Sequence, residues 1–235
     1  MSETIYASGT LVNTQTSVTA NGTILMDITD QGPYLSPVTF PAQGKVNGSV
    51  SYVTTAPTGN TAVITNAGNY IQLPTSDPTN FDPSTANVFV EAWVYWNGSA
   101  TWNSPNGGTI YERDNISVQD YGMYTDSTGK LTAYMYTQNG NILRPINNTV
   151  LSIQTWYHAT FAYNTVNQTA YIWLNGSLGT TASVSNPARY TGSSIFTSIG
   201  ASPFNGTSNY FWNGYIRDLR VIKGGIIPVS YTHLT

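Results

Sequence analysis

Apolar and polar side chains alternate along much of the chain, which is the pattern of β-strands in a sheet. Three segments place apolar residues two positions apart: Val88, Val90, Ala92 and Val94; Leu131, Ala133 and Met135; and Ala170, Ile172 and Leu174. The intervening positions of the first segment are Phe89, Glu91, Trp93 and Tyr95, which are also mostly large and apolar. Because both of its faces carry apolar side chains, Val88–Trp96 is predicted to be a central strand that is covered on both sides.

Turn signals separate the alternating segments, and helical signals are nearly absent. Asn-Gly tolerates the positive φ angles of tight hairpin turns. It occurs eight times, beginning at Asn21, Asn47, Asn97, Asn106, Asn139, Asn175, Asn205 and Asn213. Near the C-terminus, Ile216, Leu219 and Val221 break the period of two, which predicts a β-bulge near Arg217–Asp218. The chain is therefore predicted to be all-β.

Four aromatic-rich segments follow one another in a fixed order. They are Phe89–Tyr95, Thr155–Tyr163, Thr169–Gly176 and Tyr210–Gly224, and Asn69–Pro74 precedes them. Their order and spacing resemble the concanavalin A-like, laminin G-like family of domains. The resemblance implies a two-sheet antiparallel jelly-roll sandwich in which Asn69–Pro74 is the short opening strand. The same fold hosts lectins, glycosidases, adhesion modules and viral structural parts, so the resemblance leaves the function open.

Three parts are predicted along the chain. Residues 1–23 are Thr-rich and weakly patterned, and we expect them to form an N-terminal arm. Residues 24–227 are expected to form one laminin G-like jelly-roll domain. Back-translation of residues 228–235 gives a sequence similar to a transposase adapter used in sequencing libraries. We therefore predict that this tail is non-native, makes few native contacts, and ends a metagenomic fragment.

Composition narrows the classes of function. Charged residues are only 8% of the chain and hydrophobic residues 40%, with a net charge of −3 and no cysteine. The absence of a basic stripe argues against nucleic-acid binding, and the absence of cysteine excludes disulfides and zinc–thiolate sites. No apolar run suits membrane insertion, and the first residues lack a signal-peptide pattern. We expect a virion protein, such as part of a phage tail fibre; the alternative is an extracellular or cell-surface protein whose export signal lies upstream.

Two acids suggest an enzyme as the rival hypothesis. Glu112 and Asp114 resemble part of the paired-acid strand motif of β-glucanases on this fold, and retaining glycosidases need two carboxyl groups about 5–5.5 Å apart. The third acid of that motif is absent, and the pair follows Gly107-Gly108, which we interpret as a turn. We therefore predict that both acids are solvated loop residues and that the chain is not an enzyme. The alternative is a β-glucanase-like glycoside hydrolase that uses both.

His158 and the scattered acids raise two further possibilities, a catalytic histidine and a calcium site. The resemblance places the Trp-Tyr-His segment in a core strand, so His158 is predicted to be packed rather than catalytic. Calcium prefers oxygen ligands, and the acids nearest to a cluster are Asp114, Asp120 and Asp126, without an EF-hand-like loop. The resemblance also implies two adjacent acids where this chain has Arg217-Asp218. No cofactor is predicted, and calcium binding is the alternative.

Aromatic residues on predicted loops give the candidate binding site. Trp102 lies in a polar loop, and Trp212 follows the presumed core residue Phe211, so alternation would point its ring outward. With Tyr210 beside them, these rings would offer flat apolar faces to a sugar. We predict a non-catalytic binding or structural module with a glycan or cell-surface ligand at Trp102, Tyr210 and Trp212. No membrane insertion is expected, and a homo-oligomer or a larger virion assembly is the expected setting.

Overall fold

The computed structural model describes most of the chain from residue 82 onward and isolated strands before it. The backbone is described for residues 3–7, 10–15, 22–29, 32–35, 45–47, 52–53, 62–65, 68, 70–73, 82–98, 106–114, 119–183, 185, 196–202 and 210–224. Side chains are described for residues 68, 70–72, 82–98, 108–114, 120–183, 185, 197–202 and 210–224. Every regular element within these ranges is a β-strand, which confirms the predicted all-β class.

Two sheets and a separate hairpin contain the strands of the described residues. The hairpin consists of β1 (Glu3–Ala7) and β2 (Thr10–Gln15). Sheet I contains β5 (Lys45–Asn47), β8 (Tyr70–Leu73), β10 (Asn106–Asp114), β11 (Gln119–Asp126), β12 (Lys130–Tyr136), β13 (Ile142–Leu143), β14 (Ile146–Val150) and β19 (Phe196–Ile199). Sheet II contains β3 (Gly22–Thr29), β4 (Gly32–Leu35), β6 (Tyr52–Val53), β7 (Ala62–Thr65), β9 (Val88–Trp96), β15 (Trp156–Asn164), β16 (Thr169–Leu174), β17 (Ser177–Leu178), β18 (Ala182–Ser183) and β20 (Gly214–Gly224).

The strand order is that of a jelly roll. Sheet I runs β13-β12-β11-β10-β19-β8-β5, with β14 also paired to β12, and the central path of sheet II runs β17-β16-β15-β9-β20-β3-β4. All of these strand pairs are antiparallel. Neighbours distant in sequence, such as β10 with β19 and β9 with β20, require crossings between the sheets. The predicted two-sheet antiparallel jelly-roll sandwich is therefore confirmed.

The core lies between the sheets, and the alternation of side chains decides which residues enter it. All three apolar series predicted from the sequence belong to this core: Val88, Val90, Ala92 and Val94; Leu131, Ala133 and Met135; Ala170, Ile172 and Leu174. A second buried cluster lies on the opposite face of sheet II and consists of Phe89, Ala162, Trp173 and Ile222. The prediction that β9 is covered on both faces is confirmed, since Phe89 is as buried as its core-facing neighbours.

The structure contains the predicted bulge and a predicted hairpin turn, but it lacks the turn predicted at Gly107-Gly108. The predicted bulge is present, because the register of β20 against β9 shifts between Arg217 and Arg220, and Asp218 has a φ of 48°. Asn175 and Gly176 both have positive φ angles, as the hairpin between β16 and β17 requires. Gly107-Gly108, however, forms no turn. It lies inside β10, where the register shifts between Asn106 and Thr109.

Buried charges in both sheets have partners. Arg113 and Asp120 form an ion pair that is almost wholly buried. On the outer face of sheet II, Glu91 pairs with Arg220, and its Oε2 lies 3.7 Å from Nε2 of His158. The ring of His158 meets the ring of Trp93 edge-on, with centroids 5.3 Å apart. His158 is thus a packed residue of a central strand, as predicted.

The predicted boundaries of the arm, the domain and the tail stay predictions. Strand β3 begins at Gly22, close to the proposed start at residue 24. Residues 225–235, including the proposed non-native tail, lie outside the described residues. Among the described residues, no helix is long and apolar enough to span a membrane.

The join between β9 and β20 gives a stability test. Gly214 has a φ of 151°, and a Cβ atom there would lie 1.9 Å from the backbone oxygen of Tyr95. Gly214→Ala should lower the free energy of unfolding by about 3 kcal/mol or more, because β9 would have to move. Gly140 has a φ of 79° with no atom near its missing side chain, so Gly140→Ala should cost only about 1–2 kcal/mol of backbone strain. Urea denaturation measures both, and equal losses would contradict the steric argument.

Candidate functional site: a tyrosine-lined cavity on sheet I

A cavity opens on the face of sheet I that points away from the core. Its lining residues are Thr109, Tyr111, Glu112, Tyr124, Tyr134, Arg144, Ser202 and Tyr210, and its empty volume, counted to the open mouth, is about 430 Å³. The alternation of side chains along β12 explains why Tyr134 lies on this face. Since Leu131, Ala133 and Met135 enter the core, Tyr134 must project to the other side.

A glycine in the middle strand shapes the floor of the cavity. Glu112 on β10 is opposite Gly122 on β11, which is opposite Tyr134 on β12. A Cβ atom at Gly122 would lie 2.9 Å from the ring of Tyr134 and 2.9 Å from the backbone oxygen of Tyr111. The tyrosine ring therefore lies directly over the glycine. The two outer strands are about 10 Å apart, and this position lets the hydroxyl of Tyr134 cross that span and donate a hydrogen bond to Oε1 of Glu112.

Burial and negative charge keep the phenol of Tyr134 protonated. Its pKa is raised well above the ordinary tyrosine value, first by loss of solvent and then by the nearby carboxylates of Glu112 and Asp114. Burial also raises the pKa of Tyr124, whose ring centroid is 5.9 Å from that of Tyr134 at an interplanar angle of 56°. At neutral pH both phenols are therefore neutral groups, and Tyr134 acts as a hydrogen-bond donor to Glu112.

Arg144 supplies the accessible charge of the cavity. Its side chain is exposed, whereas Glu112 is 3% exposed. The next residue holds the backbone in place, since the oxygen of Pro145 accepts hydrogen bonds from the Thr132 hydroxyl at 3.0 Å and the Ala133 amide at 3.2 Å. Among the described carboxylates, none lies within ion-pair distance of Arg144. The guanidinium is thus an exposed charge in the lining of the cavity.

Of the two predicted binding residues that the structure describes, Tyr210 lines the cavity and Trp212 does not. It is partly exposed and has a φ of 53°. Its backbone oxygen accepts a hydrogen bond of 2.8 Å from the Thr109 amide, which ties this segment to β10. Trp102, the second predicted binding residue, lies outside the described residues.

The predicted outward orientation of Trp212 is wrong. Its side chain is fully buried and belongs to the core between the sheets, whereas Phe211 is partly exposed. Alternation does not apply here because residues 212 and 213 precede β20 and are not in a strand. The Trp212 amide donates to the oxygen of Gly200 at 2.9 Å, and its indole Nε1 donates to the oxygen of Tyr215 at 3.3 Å. The ring is thus not available as a stacking surface.

Glu112 and Asp114 also differ from expectation, because neither is a solvated loop residue. Both belong to β10 and are 3% and 0% exposed. Since they are two positions apart in a strand, they share one face of sheet I, and both carboxylates influence Tyr134. Gly107-Gly108 was the misleading signal: the strand continues through it.

Sequence reasoning missed Tyr124, Tyr134 and Arg144 as site residues. The alternation in Lys130–Tyr136 already predicts that Tyr134 lies on the face away from Leu131, Ala133 and Met135. This pattern could have identified Tyr134 as an outward-facing residue. Strand pairing brings Tyr124 and Glu112 beside it from separate segments, and no local pattern reveals that.

The acids considered for calcium do not come together. Asp120 is paired with Arg113. Oδ1 of Asp126 accepts hydrogen bonds from the Thr128 amide at 2.8 Å, its hydroxyl at 2.7 Å and the Lys130 amide at 3.0 Å. In the part of the chain that the structure describes, no three His, Asp or Glu residues group closely enough to hold a metal ion. Calcium binding stays a prediction.

Alkaline pH tests the environment of the buried tyrosines. Burial raises the pKa of Tyr111 to about 12, and burial also raises the pKa values of Tyr121 and Tyr134 well above the ordinary tyrosine value. In the unfolded chain, tyrosines ionise near pH 10. Above that pH the unfolded state therefore holds fewer protons, and stability should fall by up to about 1.4 kcal/mol per pH unit for each such tyrosine. Tyr134→Phe should reduce this slope in urea denaturation between pH 9 and 11, and an unchanged slope would contradict the assignment.

The comparisons with known proteins agree with this architecture. The profile of the concanavalin A-like lectin/glucanases superfamily matches residues 65–225. The chain matches no sequence among the curated proteins.

Several solved structures share the fold. The receptor-binding domain of botulinum neurotoxin type G has a TM-score of 0.57 at 14% identity, covering 87% of this chain and 48% of that one. The binding domain of paraclostridial mosquitocidal protein 1 has a TM-score of 0.56 at 13% identity, with 90% and 49% covered. The CBM40 module of the Ruminococcus gnavus IT-sialidase has a TM-score of 0.50 at 11% identity, with 80% and 93% covered.

These low identities show a shared fold alone, and the chain spans about half the length of the two toxin domains. The family profile is more informative, because its match extends over more than half of the 235 residues. It includes β9 to β12, β15, β16 and β20, which carry most of the core and the cavity floor. The protein therefore belongs to the concanavalin A-like lectin/glucanases superfamily.

Proposed function

We propose that this protein is a non-catalytic module that binds carbohydrate on a cell surface, and that the cavity on sheet I is the binding site. The observation that carries the proposal is the combination of tyrosine rings with a carboxylate and a guanidinium in one open cavity. Ligand sites commonly join apolar walls to a few polar groups that fix orientation.

The lining groups suit a sugar ring. Tyr124, Tyr134 and Tyr210 offer aromatic carbons that can pack against the C–H face of a pyranose. Glu112 accepts hydrogen bonds and Arg144 donates them, while Thr109 and Ser202 carry hydroxyl groups that do both. A sugar presents the same alternation of apolar faces and polar edges.

The neighbours in fold support a binding role without fixing the ligand. Two are named as a receptor-binding domain and a binding domain of toxins, and the third is named CBM40, a carbohydrate-binding module of a sialidase. Because the identities are 14%, 13% and 11%, the residues of their sites do not transfer to this chain.

The arrangement of acids is less suited to glycoside hydrolysis. A retaining hydrolase needs two carboxyl groups that flank the scissile bond. Of the carboxylates in the described residues, Glu112 lines the cavity, while Asp114 has no exposed surface. Glu112 is also engaged by the hydroxyl of Tyr134. The enzymatic alternative remains the rival, and incubation with a panel of β-glucans tests it directly: product formation lost in Glu112→Gln would overturn the proposal.

The setting that we propose is a phage or viral appendage that meets a cell surface, where several copies would act together. The low content of charge and the absence of cysteine support it. The rival is a bacterial surface adhesin. Capsid and tail genes beside the coding sequence would favour the first, whereas a signal peptide and a wall anchor would favour the second.

Single-site variants test the cavity. On a glycan array, Tyr210→Ala and Tyr124→Ala should each weaken binding about tenfold, because loss of an aromatic stacking surface costs roughly 1–1.5 kcal/mol. Tyr171→Ala is the matched control, since Tyr171 is a partly exposed tyrosine of sheet II that stacks on Trp173. It should leave binding unchanged.

Trp102→Ala tests the remaining predicted residue, and a parallel array with EDTA tests calcium.

Two results would contradict the proposal in different ways. If Tyr171→Ala weakened binding while the cavity variants did not, the site would lie on the other sheet. If the multivalent protein bound no glycan, a structural role would replace the binding role. Circular dichroism of each variant checks that the fold is intact.

A further inference from the structure

The cavity separates its two kinds of charge. Glu112 lies at the floor, almost without exposure and bonded to Tyr134, and the fully buried Asp114 lies two residues further along the same strand. Arg144 is exposed and lies at the mouth. A ligand that enters thus meets the guanidinium of Arg144 first and the carboxylate of Glu112 last.

Tyr124 lines the same cavity as Arg144 and Glu112. Burial raises the pKa of its phenol, while the Arg144 guanidinium lowers that pKa and Glu112 raises it, so both charges act on this ring. The ring itself is partly exposed. A sugar stacked on Tyr124 would therefore share one cavity with the guanidinium and with the carboxylate of Glu112.

We propose that the ligand of this cavity is an acidic glycan, whose carboxylate or sulfate ester is bound by Arg144 at the mouth while its neutral ring lies on Tyr124. This inference rests on the proposed function. Glu112 strengthens this polarity, because a carboxylate at the floor disfavours an anionic group there and favours hydroxyl donors. An acidic sugar that enters with its anionic group toward Arg144 and its hydroxyl groups toward Glu112 satisfies both ends.

The chemistry of arginine fits this role better than that of lysine would. A guanidinium presents parallel N–H groups that match two oxygens of a carboxylate or a sulfate. The backbone beside Arg144 is fixed by the two hydrogen bonds to the oxygen of Pro145, which limits the conformational entropy lost on binding. Within the described residues, an anionic ligand of Arg144 would compete with no carboxylate.

Matched pairs of glycans test the inference with the full chain displayed in multivalent form. Lactose, 3′-sialyllactose and 3′-sulfolactose share one core and differ only in the anionic group, and a wider array adds other neutral glycans with their sialylated or sulfated forms. The acidic members should bind roughly tenfold or more tightly than their neutral partners, because a hydrogen bond to a charged group is strong. The preference should shrink between 50 mM and 500 mM NaCl, because salt screens an exposed charge. The sialylated and sulfated arms identify which anionic group is preferred.

Variants then assign the preference to one residue. Arg144→Gln should abolish the preference for acidic glycans while retaining the binding of neutral ones, and Arg144→Lys should restore part of it. Lys130→Gln removes the same charge from β12 at a residue that does not line the cavity, so it should retain the preference. This control separates a local contact from the effect of net charge.

Four outcomes overturn the inference, and they are distinguishable from one another. If neutral and acidic partners bind equally well, the acidic ligand is wrong while the proposed function stands. If acidic partners bind more tightly and Arg144→Gln leaves that preference unchanged, Arg144 is not the group that binds the anion, and the proposed function again stands. If Arg144→Gln abolishes the binding of neutral and acidic glycans alike, Arg144 contacts every glycan and does not distinguish acidic from neutral ones. If no glycan of either kind binds, the proposed function fails and the inference fails with it.

Discussion

The alternation of side chains in β12 is the constraint on which both the core and the cavity depend. Leu131, Ala133 and Met135 are held between the sheets, so the tyrosine between the last two has no other place than the outer face. A shift in register by one residue would exchange the two faces and lose the core and the site together. The same apolar contacts that stabilise the sandwich therefore orient Tyr134 over Gly122 and toward Glu112.

This chain has few charged residues, and several of them are buried. Only 8% of its residues are charged, yet Arg113, Asp120, Glu91 and Glu112 are among the buried ones. A buried ion needs a partner, since leaving one charge alone costs several kcal/mol. Arg113 and Asp120 satisfy each other inside the core, Glu91 is satisfied by Arg220, and Glu112 accepts the phenol of Tyr134. Of these, Glu112 alone lines the cavity, which is why it combines a structural bond with a place in the site.

Sequence patterns predicted the sheets well and the site poorly, for a physical reason. Alternation reports which face of a strand is apolar, so it correctly placed the residues of β9, β12 and β16 and the bulge after Arg217. It failed at Trp212, where the chain is not yet a strand, and at Gly107-Gly108, where two glycines continue a strand with a bulge. The cavity joins residues from several strands and loops. Strand pairing brings these residues together from distant parts of the sequence, and no local sequence motif predicts such a contact.

The size of the cavity limits what one copy can achieve. A single hexose has about 12 non-hydrogen atoms, and at about 0.3 kcal/mol each they would give roughly 4 kcal/mol, a dissociation constant near 1 mM. A charge-assisted contact at Arg144 would improve this by about one order of magnitude. Useful attachment to a cell would then require several copies that bind one surface at once, since linked sites raise the apparent affinity by about 10²–10⁴ without a new contact. A small cavity of this kind would thus best suit a protein that is displayed in many copies.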